Sequence, residues 1–115
     1  MKIIKKIYRS IKAGWSSGQA NVKEQKGKLE ESIDLHLKAA TYCDDVRSKI
    51  LIIENISDIY LKLGRFKDAL DAAKFLQNQC EKNINEDNFF KETSSRLLVK
   101  IEQIKTANNL VNRTE

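Results

Sequence analysis

The stretch Lys49–Lys82, KILIIENISDIYLKLGRFKDALDAAKFLQNQCEK, decides the fold. It reads as two amphipathic helices meeting at a tight corner, Leu63-Gly64-Arg65. Ile52, Ile53, Ile56, Ile59, Tyr60 and Leu63 recur three and four apart, which puts them on one face of the first helix. Phe66, Ala69, Leu70, Ala73, Leu76 and Cys80 do the same in the second. Gly64 fits the stop between them, where the chain must pass through a left-handed conformation that costs any residue with a Cβ. The small residues Ser57, Ala69 and Ala73 let the two backbones approach closely, so that Tyr60 and Phe66 fill the space between.

Within this stretch, YLKLGRFKDALDAAKFL resembles the signature of the tetratricopeptide repeat, a helix-turn-helix unit of about 34 residues. Ser57, Tyr60, Gly64, Phe66 and Ala69 occupy the places of its small residue, tyrosine, glycine, aromatic and alanine. Ala73 stands where an aromatic is usual and Leu76 where alanine is usual, an exchange that roughly conserves volume. Glu81 replaces the proline that often closes the unit. A shift of 37 residues lays Gly27 on Gly64, Lys28 on Arg65, Leu29 on Phe66, Ser32 on Ala69 and Cys43 on Cys80. GKLEESIDLHLKAATY therefore resembles the second helix of another such unit. Its first helix, residues 16–26, is degenerate, with Lys23 in the place of Tyr60. The resemblance implies an all-α fold of stacked antiparallel helical hairpins, about five to six helices in all. It also implies that the first helix of each unit lines a groove for a peptide or partner helix. On the clear copy that face is Leu51, Glu54, Asn55, Asp58, Leu61 and Lys62. Glu54 and Asp58 would favour a partner with basic residues; with Lys62 they also make an ordinary i,i+4 charge ladder.

Outward from the repeats, residues 1–14 read as a basic amphipathic helix. Ile4, Ile7, Tyr8 and Ile11 share one face, Trp15 follows, and Lys2, Lys5, Lys6, Arg9 and Lys12 line the other. In the commoner arrangement such a helix docks its isoleucines on the body and leaves its lysines in water. The alternatives are an interfacial helix on an anionic membrane and a partner-binding arm. Gly14-Trp15-Ser16-Ser17-Gly18 reads as a turn or joint, with Ser16 or Ser17 capping a degenerate unit over 16–44. In its first helix Ala20 and Val22 are the residues to bury. The clear unit spans 49–82, and the residues in excess of the repeat period fall at Thr41–Lys49 as a loop or extra turn. After a polar loop at 83–87, Asn85 or Asp87 caps a long helix over 87–111. Phe90, Leu97, Ile104 and Val111 fall seven apart on it, with Ser94 and Ile101 between. One narrow apolar stripe on a polar cylinder fits a helix that caps the stack; a homodimer seam is the alternative.

At 115 residues, 41% hydrophobic and 32% charged, the chain reads as one ordinary folded domain, 1–115. It has no proline, which suits continuous helix. Lysines interrupt the apolar residues at the start, so a secretory signal is not expected. The expected setting is cytoplasmic, peripheral to a membrane if the first helix anchors there, with Cys43 and Cys80 reduced. The net charge of +5 is uneven: residues 1–26 carry seven Lys/Arg against one Glu, while the remainder is close to neutral. RNA binding by stacked hairpins is therefore disfavoured, because it needs basic charge gathered on the concave face.

The single histidine, His36, falls on the inward face as a core filler. No Cys-x-x-Cys pair or second histidine offers a metal set, and no glycine-rich loop offers a phosphate cradle. Glu30-Glu31-Asp34 and Asp44-Asp45 read as solvated faces. No catalytic, cofactor or metal residues are expected, and the function expected is non-catalytic binding of another protein, as adaptor, chaperone or stoichiometric neutraliser.

Overall fold

The computed structural model describes the backbone of residues 2–114 and the side chains of residues 4–110. The side chains of Lys2 and Val111, each assigned a role above, lie outside the described residues. Among the described residues five helices follow one another: α1 (Lys2–Gln25), α2 (Leu29–Tyr42), α3 (Val46–Lys62), α4 (Phe66–Lys82) and α5 (Asn88–Thr114). No strand occurs among the described residues. The chain divides into two compact units, residues 1–56 and 57–115, with α3 passing from one into the other. In the first α1 packs on α2, and in the second α4 packs on α5.

The two glycine corners are copies of each other. Gly27 has φ +77° and Gly64 φ +75°. The residue after each takes nearly the same conformation, Lys28 at φ −88°, ψ 68° and Arg65 at φ −89°, ψ 70°. The Lys28 amide donates to the Lys23 carbonyl at 2.9 Å, and the Arg65 amide to the Tyr60 carbonyl at 2.8 Å. These bonds satisfy carbonyls that the helix end would otherwise leave open. Behind each corner a buried hydroxyl ties the two helices together. In the first copy Ser32 Oγ on α2 donates to the Ala20 carbonyl on α1 at 2.9 Å. In the second Ser57 Oγ on α3 donates to the Ala69 carbonyl on α4 at 3.0 Å. Under the 37-residue shift Ala20 corresponds to Ser57 and Ser32 to Ala69. The same two positions are bonded in both copies, with serine and alanine exchanged.

Lys23, which stands where the second copy has Tyr60, is accommodated by a polar version of the corner. Its Nζ lies 3.1 Å from Glu31, and that hydrogen bond is the main reason the Glu31 carboxyl titrates below its usual range. In the second copy the Arg65 guanidinium stacks over the Tyr60 ring at 4.7 Å and pairs with Asp68 at 2.8 Å.

One expected joint is absent. Gly14-Trp15-Ser16-Ser17-Gly18 is helical, and α1 runs unbroken through it, so Ser16 and Ser17 lie mid-helix and cap nothing. The cause is packing: Ala13, Ser16 and Ala20, three and four apart, are all buried on one side of α1. A single helical register is needed to keep them there. Two glycines in a helix cost about 1 kcal/mol each, and that side outweighs them. Val22, expected to be buried, is 48% exposed.

The remaining connections follow acidic caps. Cys43, Asp44 and Asp45 link α2 to α3. The Asp45 carboxylate accepts from the Arg47 and Ser48 amides and, at 2.9 Å, from Ser48 Oγ, which holds it below its usual range. Asp44 takes the Arg9 guanidinium at 3.2 Å. This pair is a cap and a clasp rather than a solvated cluster. Before α5, Asp87 accepts from the Phe89 amide at 2.9 Å.

The core follows the expected periodicities, with Ile56, Ile59, Ala69, Ala73, Leu76 and Cys80 all buried. Ile52, Ile53 and Leu63 are only half-buried, while Ile50 is fully enclosed. Tyr60 and Phe66 both pack on a cluster of Ala69, Ala73, Ile101 and Ile104. On α5 the heptad stripe Phe90, Leu97 and Ile104, with Ser94 and Ile101, is buried. Gln77 of α4 reaches across to it, its Nε2 donating to Ser94 Oγ at 2.8 Å.

Candidate docking surface

α3 presents its expected groove residues in three different ways. Leu51 and Asn55 are exposed, Glu54 is buried, and Lys62 is exposed at the helix end. Burial of Glu54 breaks the solvated charge ladder. Asp58 accepts a hydrogen bond from Lys100 Nζ of α5 at 2.9 Å, and Leu61 packs on the core cluster. Two acids held out to a basic partner are therefore not what α3 offers. Its last turns instead form one wall of a hollow of about 310 Å³, whose other wall is α5. Asp58, Leu61, Lys100, Gln103, Ile104 and Ala107 line it.

That hollow is continuous with an apolar strip along α5. Gln103 and Ala107 belong to both, and the strip continues with Leu98, Val99 and Leu110. These three are 53–59% exposed and stand on the side of α5 away from Phe90, Leu97 and Ile104. The outer face of α5 is thus not the uniformly polar surface expected of a capping helix. The sequence carried the signal in Leu98 and Val99 beside Leu97, one apolar run too wide for a single stripe. Chemically the surface is apolar, with one charge pair already satisfied at its floor. Such a surface suits contact with another apolar face, with the exposed Glu102 carboxylate beside it.

α1 presents a second surface, in the first unit. Ile4, Ile7, Tyr8, Ile11 and Trp15 are each 55–67% exposed. They lie opposite Ala13, Ser16 and Ala20, so Ile7 and Ile11 point away from the side that packs on α2, while Ile4 and Tyr8 border a hollow shared with Tyr42 of α2. The expectation that they dock on the body is overturned. What holds α1 to α2 is small residues together with polar ties: besides the Ser32–Ala20 bond and the Lys23–Glu31 pair, Arg9 donates to the Thr41 carbonyl at 2.8 Å as well as meeting Asp44. Lys5 and Lys6 are exposed, and Lys12 Nζ stands 5.5 Å from the Tyr8 ring centre.

His36 is buried as expected, at 1% exposure, and neither ring nitrogen has a hydrogen-bond partner. Burial lowers its pKa, partly opposed by the Glu24 carboxylate. Neither Cys43 nor Cys80 is in a disulfide; the first is half-buried and the second buried. Among the described residues no three His, Cys, Asp or Glu side chains gather as a metal site. Comparison of the chain with known protein families, with curated proteins and with solved structures finds no match.

Proposed function

We propose that this chain is a non-catalytic, tetratricopeptide-like interaction module of the cytoplasm, which holds a helix or apolar segment of another protein against α5. The observation that carries this reading is the continuity, through Gln103 and Ala107, of the α3/α5 hollow with the exposed strip Leu98, Val99 and Leu110. The reading moves the contact from the exposed face of α3 to the side it shares with α5. Asp58 and Leu61 remain part of it, while Leu51, Asn55 and Lys62 are not in its lining and Glu54 is buried. A surface already formed on rigid helices loses little ordering entropy on association, which favours recognition by an adaptor or chaperone.

The test is affinity capture from the native host with the full chain and with Leu98→Ser/Leu110→Ser as baits. The wild type is expected to recover one protein in near-stoichiometric yield, and the double variant at least about tenfold less, as for loss of central apolar contacts. Both baits keep the same helix content by circular dichroism, since the two leucines are exposed. Equal recovery by both baits rules out the α5 surface, and recovery of no specific protein rules out the module.

A further inference from the structure

We infer that the outward face of α1 docks on an anionic lipid bilayer, the helix lying flat at headgroup level. This uses the first unit alone and stands apart from the α5 surface.

Three observations carry it. The stripe Ile4, Ile7, Tyr8, Ile11 and Trp15 is the most exposed set of large apolar side chains on α1, each 55–67% accessible. It is held outward by the Arg9 clasp on Asp44 and Thr41, so it is presented rather than left over. At 3.6 residues per turn, Lys5 and Lys12 flank the stripe on one side, while Lys6 lies round the helix from it. From a flanking position lysines reach up to lipid phosphates while their stems cover apolar surface. Tyr8 and Trp15 supply amphipathic rings of the kind that settle at the membrane–water boundary. None of the described helices is long and apolar enough to cross a bilayer, so α1 lies on the surface and does not span it.

Charge selects the occupant. Residues 1–26 carry seven Lys/Arg against one Glu. A second copy docking α1 on α1 would bring like charges together, whereas anionic headgroups neutralise them. One short helix without a lipid anchor binds reversibly, so the contact is salt-sensitive.

The experiment uses the full chain, whose only tryptophan is Trp15. It is mixed with vesicles of phosphatidylcholine containing about 30% phosphatidylserine, or with phosphatidylcholine alone, and followed by Trp15 emission and co-sedimentation. The expected result is a blue shift and sedimentation with the anionic vesicles, at least about tenfold weaker binding to the neutral ones, and release at high salt. Ile7→Ser/Ile11→Ser and Lys5→Glu/Lys12→Glu each weaken anionic binding about tenfold while helix content stays unchanged. Leu98→Ser/Leu110→Ser binds vesicles like the wild type, which separates this surface from that on α5. No blue shift with anionic vesicles, equal binding to both compositions, or undiminished binding by Ile7→Ser/Ile11→Ser would overturn the inference. Capture of a soluble acidic protein through the α1 stripe, without vesicle binding, would do so as well.

Discussion

At the scale of single residues, the two kinds of glycine in this chain should respond oppositely to the same substitution. Gly27 and Gly64 have positive φ with open space around the position a Cβ would take. Gly64→Ala should therefore cost about 1–2 kcal/mol, all of it backbone strain. Gly14 and Gly18 lie in α1 with equally open surroundings, so replacing both by alanine should add about 1–2 kcal/mol. Urea denaturation of the variants checks both signs. His36 makes a second residue-scale case. Its folded pKa lies below the ordinary value near 6.5, so the unfolded chain takes up a proton first. Stability contributed by the neutral ring is complete above about pH 6.5 and is lost as pH falls through the lower folded value. His36→Leu should remove that slope. It should also raise stability at pH 7 by about 1 kcal/mol, because two unpartnered polar atoms leave the interior. Denaturation midpoints between pH 5 and 8 decide it. The sequence made the inward place of His36 legible through its spacing from Ser32 and Ala39. Its lack of partners was not legible, because that depends on what other helices bring to the ring.

At the scale of elements, the Gly64 corner was readable because its determinants are local: one glycine, apolar periodicity on both sides and small residues at the contact. The continuity of α1 was not. Gly14-Trp15-Ser16-Ser17-Gly18 has the composition of a turn, and what keeps it helical is the burial of Ala13, Ser16 and Ala20, a tertiary effect. Ala20 has no exposed surface, and its carbonyl accepts from Ser32 Oγ. Ala20→Leu should accordingly destabilise the chain by about 1–3 kcal/mol through overpacking. Ile7→Ser/Ile11→Ser, on the outward side of the same helix, should stay within about 0.5 kcal/mol of wild type. Thermal melts of both variants test whether α1 is oriented as described. The reciprocal hydroxyls offer a finer check. Ser32→Ala and Ser57→Ala should each cost about 1 kcal/mol, because each removes a buried side-chain bond between the helices of its corner.

At the scale of the molecule, the interior reads as scaffold and the outward apolar faces as the working parts. The charge division was visible in the sequence, since it is a matter of counting. Which apolar residues face out was not, because a stripe on a helix looks the same whether it meets the core or the solvent. Only the packed sides, Ala13–Ser16–Ala20 on α1 and Phe90–Leu97–Ile104 on α5, reveal that further apolar residues lie opposite them. The acid pair Glu54 and Asp58 misled for a related reason: one is buried and the other engaged by Lys100. The central claim is that a protein partner is held along α5. Its most direct test is an amide chemical-shift titration of the isotope-labelled full chain with the partner recovered by capture. The account predicts shifts concentrated at Asp58, Leu61, Leu98, Val99, Gln103 and Leu110. Shifts confined to α2 or to the exposed face of α3, with α5 silent, would contradict it.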